Sequence, residues 1–194
     1  MILIVDNEDS FTYMLADYIK QCANENEVKI LFHYQTNFIQ DILPYIKGLV
    51  ISPGPGRPEQ SKAAFAYQYA IQNNIALLGV CLGHQWIGYI NNMPIVHSPE
   101  PLHGYTSTIM HLQKGIFKDI PNFIQVMRYH SLIVSDTYIP NHIEITAKTE
   151  DGLIMAMQYI NKPVYSVQFH PESVLTNYGL KMVQNWIDIC YLEN

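Results

Sequence analysis

Four short, largely apolar runs limit most strongly how this chain can fold: residues 2–5, 49–51, 76–80 and 164–169. Strands apolar at every position are buried on both faces, so helices must cover both sides of the sheet they form. Suitable stretches occur at residues 11–22, 61–72 and 178–191, and in the last Leu180, Val183, Ile187 and Cys190 share one face at helical spacing. Alternating strands and helices imply an α/β fold with an open, largely parallel twisted sheet and flanking helices, binding ligands beyond the carboxyl ends of its strands. Residues 94–152 are less regular. Short alternating stretches such as Glu144-Ile145-Thr146-Ala147 predict a smaller antiparallel section there. With no repeat, low-complexity tract or linker, the 194 residues are expected to form a single domain, 1–194.

Charge narrows the function. Only 14% of residues are charged and the formal net charge is −6, which leaves no basic surface for nucleic acid phosphates. The opening Met1-Ile2-Leu3-Ile4-Val5-Asp6 has no basic residues before its apolar run and is too short to span a bilayer, so a cytoplasmic protein away from membranes is expected. Cys22, Cys81 and Cys190 are odd in number and far apart, which suggests neither a disulfide framework nor a Cys-x-x-Cys site. The histidines lack metal-ligand spacing, and no metal site is expected.

The segment Gly79-Val80-Cys81-Leu82-Gly83-His84-Gln85 runs from an apolar strand into a helix-like stretch. A nucleophile on a sharp strand-to-helix turn crowds the backbone around it, so glycine is needed two residues to either side. The same turn places the Cys81 sulfur at a helix amino end, where partial positive charge favours thiolate. Leu82 then offers its backbone N–H to a developing oxyanion. This segment alone also fits a buried apolar cysteine at a strand end. Ser166-Val167-Gln168-Phe169-His170-Pro171-Glu172-Ser173 supplies what a reactive thiol needs: if the chain stays extended through Pro171, side chains two apart leave the same face. His170 can serve as base and Glu172 can fix its tautomer. Ser52-Pro53-Gly54-Pro55-Gly56 follows a buried strand and belongs on the same rim, where the N–H of Gly56 can join Leu82 in an oxyanion hole.

Together these segments resemble the class I, or triad type, glutamine amidotransferases, and within them the small subunits of anthranilate synthase and aminodeoxychorismate synthase. The resemblance extends over nearly the whole chain. It includes Val5-Asp6-Asn7, Asp9-Ser10-Phe11-Thr12-Tyr13, Pro99-Glu100-Pro101-Leu102-His103-Gly104, Arg128-Tyr129-His130-Ser131-Leu132 and Val174-Leu175-Thr176. It implies that Cys81 attacks the side-chain amide of L-glutamine, with His170 and Glu172 completing the triad and Gly56 and Leu82 as oxyanion donors. It also implies that Gly54, Pro55, Gly56, Gln85, Ser131 and Leu132 hold the substrate. The ammonia would pass to a large chorismate-binding synthase subunit, with anthranilate synthase favoured over aminodeoxychorismate synthase or a small subunit shared by both. No cofactor is expected in this chain, and magnesium only in the partner. Two other classes fit the same motifs: a catalytically silent regulatory module, and a cysteine hydrolase acting on another amide.

Overall fold

A computed structural model describes residues 1–23 and 27–192, without the side chains of residues 36, 100–103 and 192. One mixed sheet of nine strands runs through it. The strands are β1 (Ile2–Asp6), β2 (Val28–Phe32), β3 (Gly48–Ile51), β4 (Ala76–Val80), β5 (Ile95–His111), β6 (Ile124–Val134), β7 (Ile143–Thr149), β8 (Ile154–Tyr159) and β9 (Val164–Val167). Their spatial order is β2-β1-β3-β4-β9-β8-β7-β5-β6. The first five in that order pair in parallel, and from β9 onward every pairing is antiparallel. The five helices are α1 (Thr12–Cys22), α2 (Thr36–Ile42), α3 (Ala64–Gln72), α4 (Leu82–Ile90) and α5 (Gly179–Leu192).

The sheet divides the core in two because strand residues alternate between faces. Ile2, Ile4, Val50, Leu78 and Val80 pack with Leu15 and Ile19 of α1 and Val183 and Trp186 of α5. Leu3, Val5, Leu49, Ile51 and Leu77 face the other way, against Ala66 and Ala70 of α3 and Trp86 and Ile87 of α4. Each fully buried Leu or Ile contributes roughly 1.5–3 kcal/mol by leaving water, so this double burial sustains strands only four or five residues long. Of the expected face of α5, Val183, Ile187 and Cys190 are buried but Leu180 is 42% exposed, because it lies in the first turn, before the helix reaches the sheet.

Two elements without a clear apolar signature accompany this frame. β2 is an edge strand of intermediate burial, and α2 is a short helix resting on the core through Ile39. Parallel order brings the carboxyl ends of β1, β3, β4 and β9 to one rim, which carries the loops after Asp6, Ile51, Val80 and Val167.

Candidate active site

Cys81 occupies the turn between β4 and α4 with φ +52° and ψ −100°, a conformation L-residues rarely adopt. Its N–H is held by the carbonyl of Val167 on β9 at 2.9 Å, and its carbonyl accepts from the N–H of Gln85 at 3.1 Å. Glycine is required on the far side of the turn because a Cβ at Gly83 would stand 2.2 Å from the carbonyl oxygen of Ile51. A Cβ at Gly79 would meet the carbonyl of Gly83 at 2.7 Å. The strain at Cys81 is therefore sustained by close packing of β3, β4 and α4.

His170 and Glu172 are both buried, and His170 Nδ1 lies 2.7 Å from Glu172 Oε1. The imidazole also packs against Phe11, with ring centroids 4.8 Å apart, and edge-on to Tyr129 at 5.5 Å. Apart from its approach to the Cys81 thiol, Nε2 has no hydrogen-bond partner among the described residues. Burial opposes a charge on this ring, yet the Cys81 sulfur and the Glu172 carboxylate outweigh it and hold the imidazolium well above the usual histidine range. The segment carrying both residues clips onto the free edge of β6. The His170 N–H donates to the Met127 carbonyl at 3.1 Å, and Thr176 Oγ1 donates to the His170 carbonyl while accepting from the Met127 N–H.

In front of the sulfur lies a cavity of about 200 Å3 lined by Gly54, Pro55, Gly56, Cys81, Gln85, Tyr129, His130, Ser131 and Leu132. Six of these are the residues expected to hold substrate. Gly56 has φ +80°, so its peptide takes an orientation that few other residues allow. Leu82 opens α4, where the first N–H groups of a helix have no partner within it. Leu82 is not among the residues lining that cavity; it lines a separate one with Asn7, Glu8 and His33. Among the described residues, no group of three or more His, Cys, Asp or Glu side chains comes together as a metal site.

The match to known proteins accords with this geometry. The family model for glutamine amidotransferase class-I matches residues 3–190. The chain belongs to the class I glutamine amidotransferases. It is 44% identical over 191 residues to anthranilate synthase component 2 of Cyanophora paradoxa, covering 97% of this chain and 98% of that one. It is 38% identical over 188 residues to the aminodeoxychorismate/anthranilate synthase component 2 of Bacillus subtilis, covering 97% and 96%. Against the bifunctional protein TrpGD of Thermotoga maritima, identity is 40% over 188 residues, and this chain spans only 32% of that longer protein. A solved structure assigned as part of a GMP synthase from Thermoplasma acidophilum superposes with a TM-score of 0.85 at 24% identity, covering 97% of this chain and 92% of that one, and shows the shared fold.

Around the cavity this amidotransferase places several side chains to which sequence alone assigned no role. Gln168, fully buried, directs Nε2 to the Cys81 sulfur at 3.9 Å and accepts from Gln85 at 3.3 Å, while Gln85 also donates to the Leu132 carbonyl at 2.9 Å. Position 168 directly follows the last residue of β9, in the same segment as His170, a placement that could have marked it. Tyr129 and Phe11 cup the imidazole, and Phe11 is fixed by its N–H donating to Asp9 Oδ1 at 2.7 Å. His84 is also buried near the turn. Burial, with a smaller push from His130, lowers its pKa to about 3 despite its contact with Ser166, so it stays neutral and cannot serve as a charged partner of the thiol. Side chains 100–103, within one of the resembling segments, lie outside the described residues.

Proposed function

We propose that Cys81, His170 and Glu172 hydrolyse L-glutamine through a glutamyl thioester. The observation that carries this reading is the 2.7 Å contact between His170 and Glu172 beside a strained cysteine at the wall of a small cavity. The Cys81 sulfur, its proton passed to His170, adds to the side-chain amide carbon of glutamine. The N–H groups of Gly56 and Leu82 receive the oxygen's charge. The C–N bond breaks as His170 returns its proton to nitrogen, and ammonia leaves. Water, deprotonated by His170, then attacks the thioester, the S–C bond breaks, and glutamate is released. Gly54, Pro55, Gly56, Gln85, Ser131 and Leu132 bind the substrate. At about 200 Å3 the cavity is of the size of a single amino acid, which favours free glutamine over a peptide.

The ammonia is delivered to a large chorismate-binding synthase subunit. Support comes from the names of the relatives and from exposed apolar residues: Val174 and Leu175, which follow Glu172 in the chain, and Tyr13 and Met14, which follow Phe11, whose ring packs on His170. Anthranilate is the favoured product, with aminodeoxychorismate the alternative, as the Bacillus subtilis relative carries both names. No cofactor is assigned to this chain; magnesium belongs with the partner. No helix among the described residues is long and apolar enough to cross a membrane, in keeping with the cytoplasmic location we propose.

The test is to copurify the chain with its synthase subunit, supply chorismate, magnesium and glutamine, and identify the aminated product by mass spectrometry. Anthranilate is expected, and aminodeoxychorismate would move the protein to folate synthesis. Cys81→Ala should abolish synthesis from glutamine and retain synthesis from ammonium salts; glutamine-dependent synthesis by that variant would sink the mechanism.

A further inference from the structure

The loop that presents Gly56 is closed from outside by a residue on another strand's loop. Asn7, only 4% exposed, follows β1. Its backbone N–H donates to Ser52 Oγ at 2.9 Å, and its side-chain Nδ2 donates to the Ser52 carbonyl at 3.0 Å. On the far side of the loop, the Ser61 hydroxyl donates to Asn7 Oδ1 at 2.7 Å. One carboxamide thus bridges the two stems of the segment 52–61. Between the stems the fit is equally close, since a Cβ at Gly54 would stand 2.5 Å from Asn7 Cβ and 2.6 Å from a methyl of Leu82. Gly54 is therefore wedged between Asn7 and the residue that supplies the second oxyanion donor. The tip is closed by Gln60, whose Oε1 accepts the Arg57 N–H at 3.1 Å.

Resting on the catalytic reading above, we propose that Asn7 is a positioning residue for the oxyanion hole: its carboxamide ties Ser52 to Ser61 and so holds the Gly56 N–H at a set distance from that of Leu82. Asn7 does not line the cavity in front of Cys81, and its hydrogen bonds run to Ser52 and Ser61, so its effect passes through the loop. Both side-chain atoms are used, one as donor and one as acceptor, which aspartate cannot reproduce. Asp at this position keeps an acceptor for Ser61 but sets an oxygen against the Ser52 carbonyl.

The experiment compares Asn7→Ala, Asn7→Asp and Ser61→Ala in the chain copurified with its synthase subunit. Glutamine hydrolysis, melting temperature and the rate at which iodoacetamide alkylates Cys81 are measured. Alkylation needs the thiol and its base but no oxyanion hole. Misplacement of a transition-state donor costs on the order of 100-fold, so kcat should fall roughly 10- to 100-fold in both Asn7 variants while KM changes far less. Ser61→Ala, which cuts one of the two ties, should show a smaller fall of the same kind. Alkylation should keep its wild-type rate in all three. An unchanged kcat in Asn7→Ala overturns the proposal, and so does a parallel loss of kcat and alkylation, which would mark a general structural role. Should Asn7→Ala fail to fold, an unchanged kcat in Ser61→Ala overturns it equally. Glutamine hydrolysis that survives Cys81→Ala sinks the catalytic reading beneath it; loss with Cys81→Ala but none with Asn7→Ala sinks this proposal alone.

Discussion

The carboxylate of Glu172 meets the imidazole of His170 in a place from which water is excluded. A buried anion at 2.7 Å favours the protonated ring, so the carboxylate is one of the interactions that keep the imidazolium above the ordinary histidine range. Replacing it by the neutral isostere in Glu172→Gln removes that interaction, and the ring then loses its proton at lower pH. The alkaline limb of kcat/KM for glutamine should therefore move downward by about one pH unit or more. kcat itself should fall on the order of 100-fold or more as the ring tautomer is no longer enforced. A pH–rate profile measures both, and an unmoved alkaline limb would show that His170 does not titrate there. The spacings Gly-x-Cys-x-Gly and His-x-Glu marked Cys81, His170 and Glu172 in the sequence, but the chain does not stay extended through Pro171: residues 171–173 form a turn closed by the Ser173 N–H on the His170 carbonyl, and His170 and Glu172 meet across it. Gln168 and Phe11 were less legible, because their parts depend on contacts between segments far apart in the chain.

At the scale of elements, the turn after β4 and the clip on β6 each set one half of the site. Gly83→Ala would force a methyl to within 2.2 Å of the Ile51 carbonyl, and neither β3 nor α4 can retreat without opening the core. A loss of about 1–3 kcal/mol or more is expected, read as a lowered denaturant midpoint. Thr176→Val keeps the shape and removes the hydroxyl that joins the His170 carbonyl to the Met127 N–H. Each buried group left unsatisfied costs about 1–3 kcal/mol, so this variant should be destabilised and also slowed in glutamine hydrolysis. Stability and kcat equal to wild type would show that the clip does not hold the base. The strands β1, β3 and β4 were evident from their apolar runs, α5 from its periodicity, and α1 and α3 as the stretches available to cover those strands, to within a few residues at each end. β2 escaped because an edge strand is only half buried and mixes Lys29 among apolar residues. The helix expected from residue 61 begins at Ala64, after a single tight turn at Pro58–Gln60 whose Ser61 is engaged with Asn7.

Across the whole molecule, the rim that joins the loops after β1, β3, β4 and β9 brings together His170, Cys81 and the loop of Gly56, the base, nucleophile and oxyanion donor of the proposed mechanism. Gly56 sits in an exposed loop at positive φ, so a partner docked on this rim can change how its N–H is presented. The isolated chain is expected to hydrolyse glutamine slowly, and the synthase subunit to raise kcat by about tenfold or more, a coupling of about 1.4 kcal/mol. Full turnover by the chain alone would refute this. The motifs do not separate the two proposed products, because the proposed triad chemistry is the same for both. The covalent intermediate itself can be observed by mass spectrometry of the enzyme quenched during turnover with glutamine, followed by peptide mapping. A γ-glutamyl group is predicted on the peptide containing Cys81 and none in Cys81→Ala; an adduct on another residue, or undiminished turnover in Cys81→Ala, would contradict the thioester mechanism.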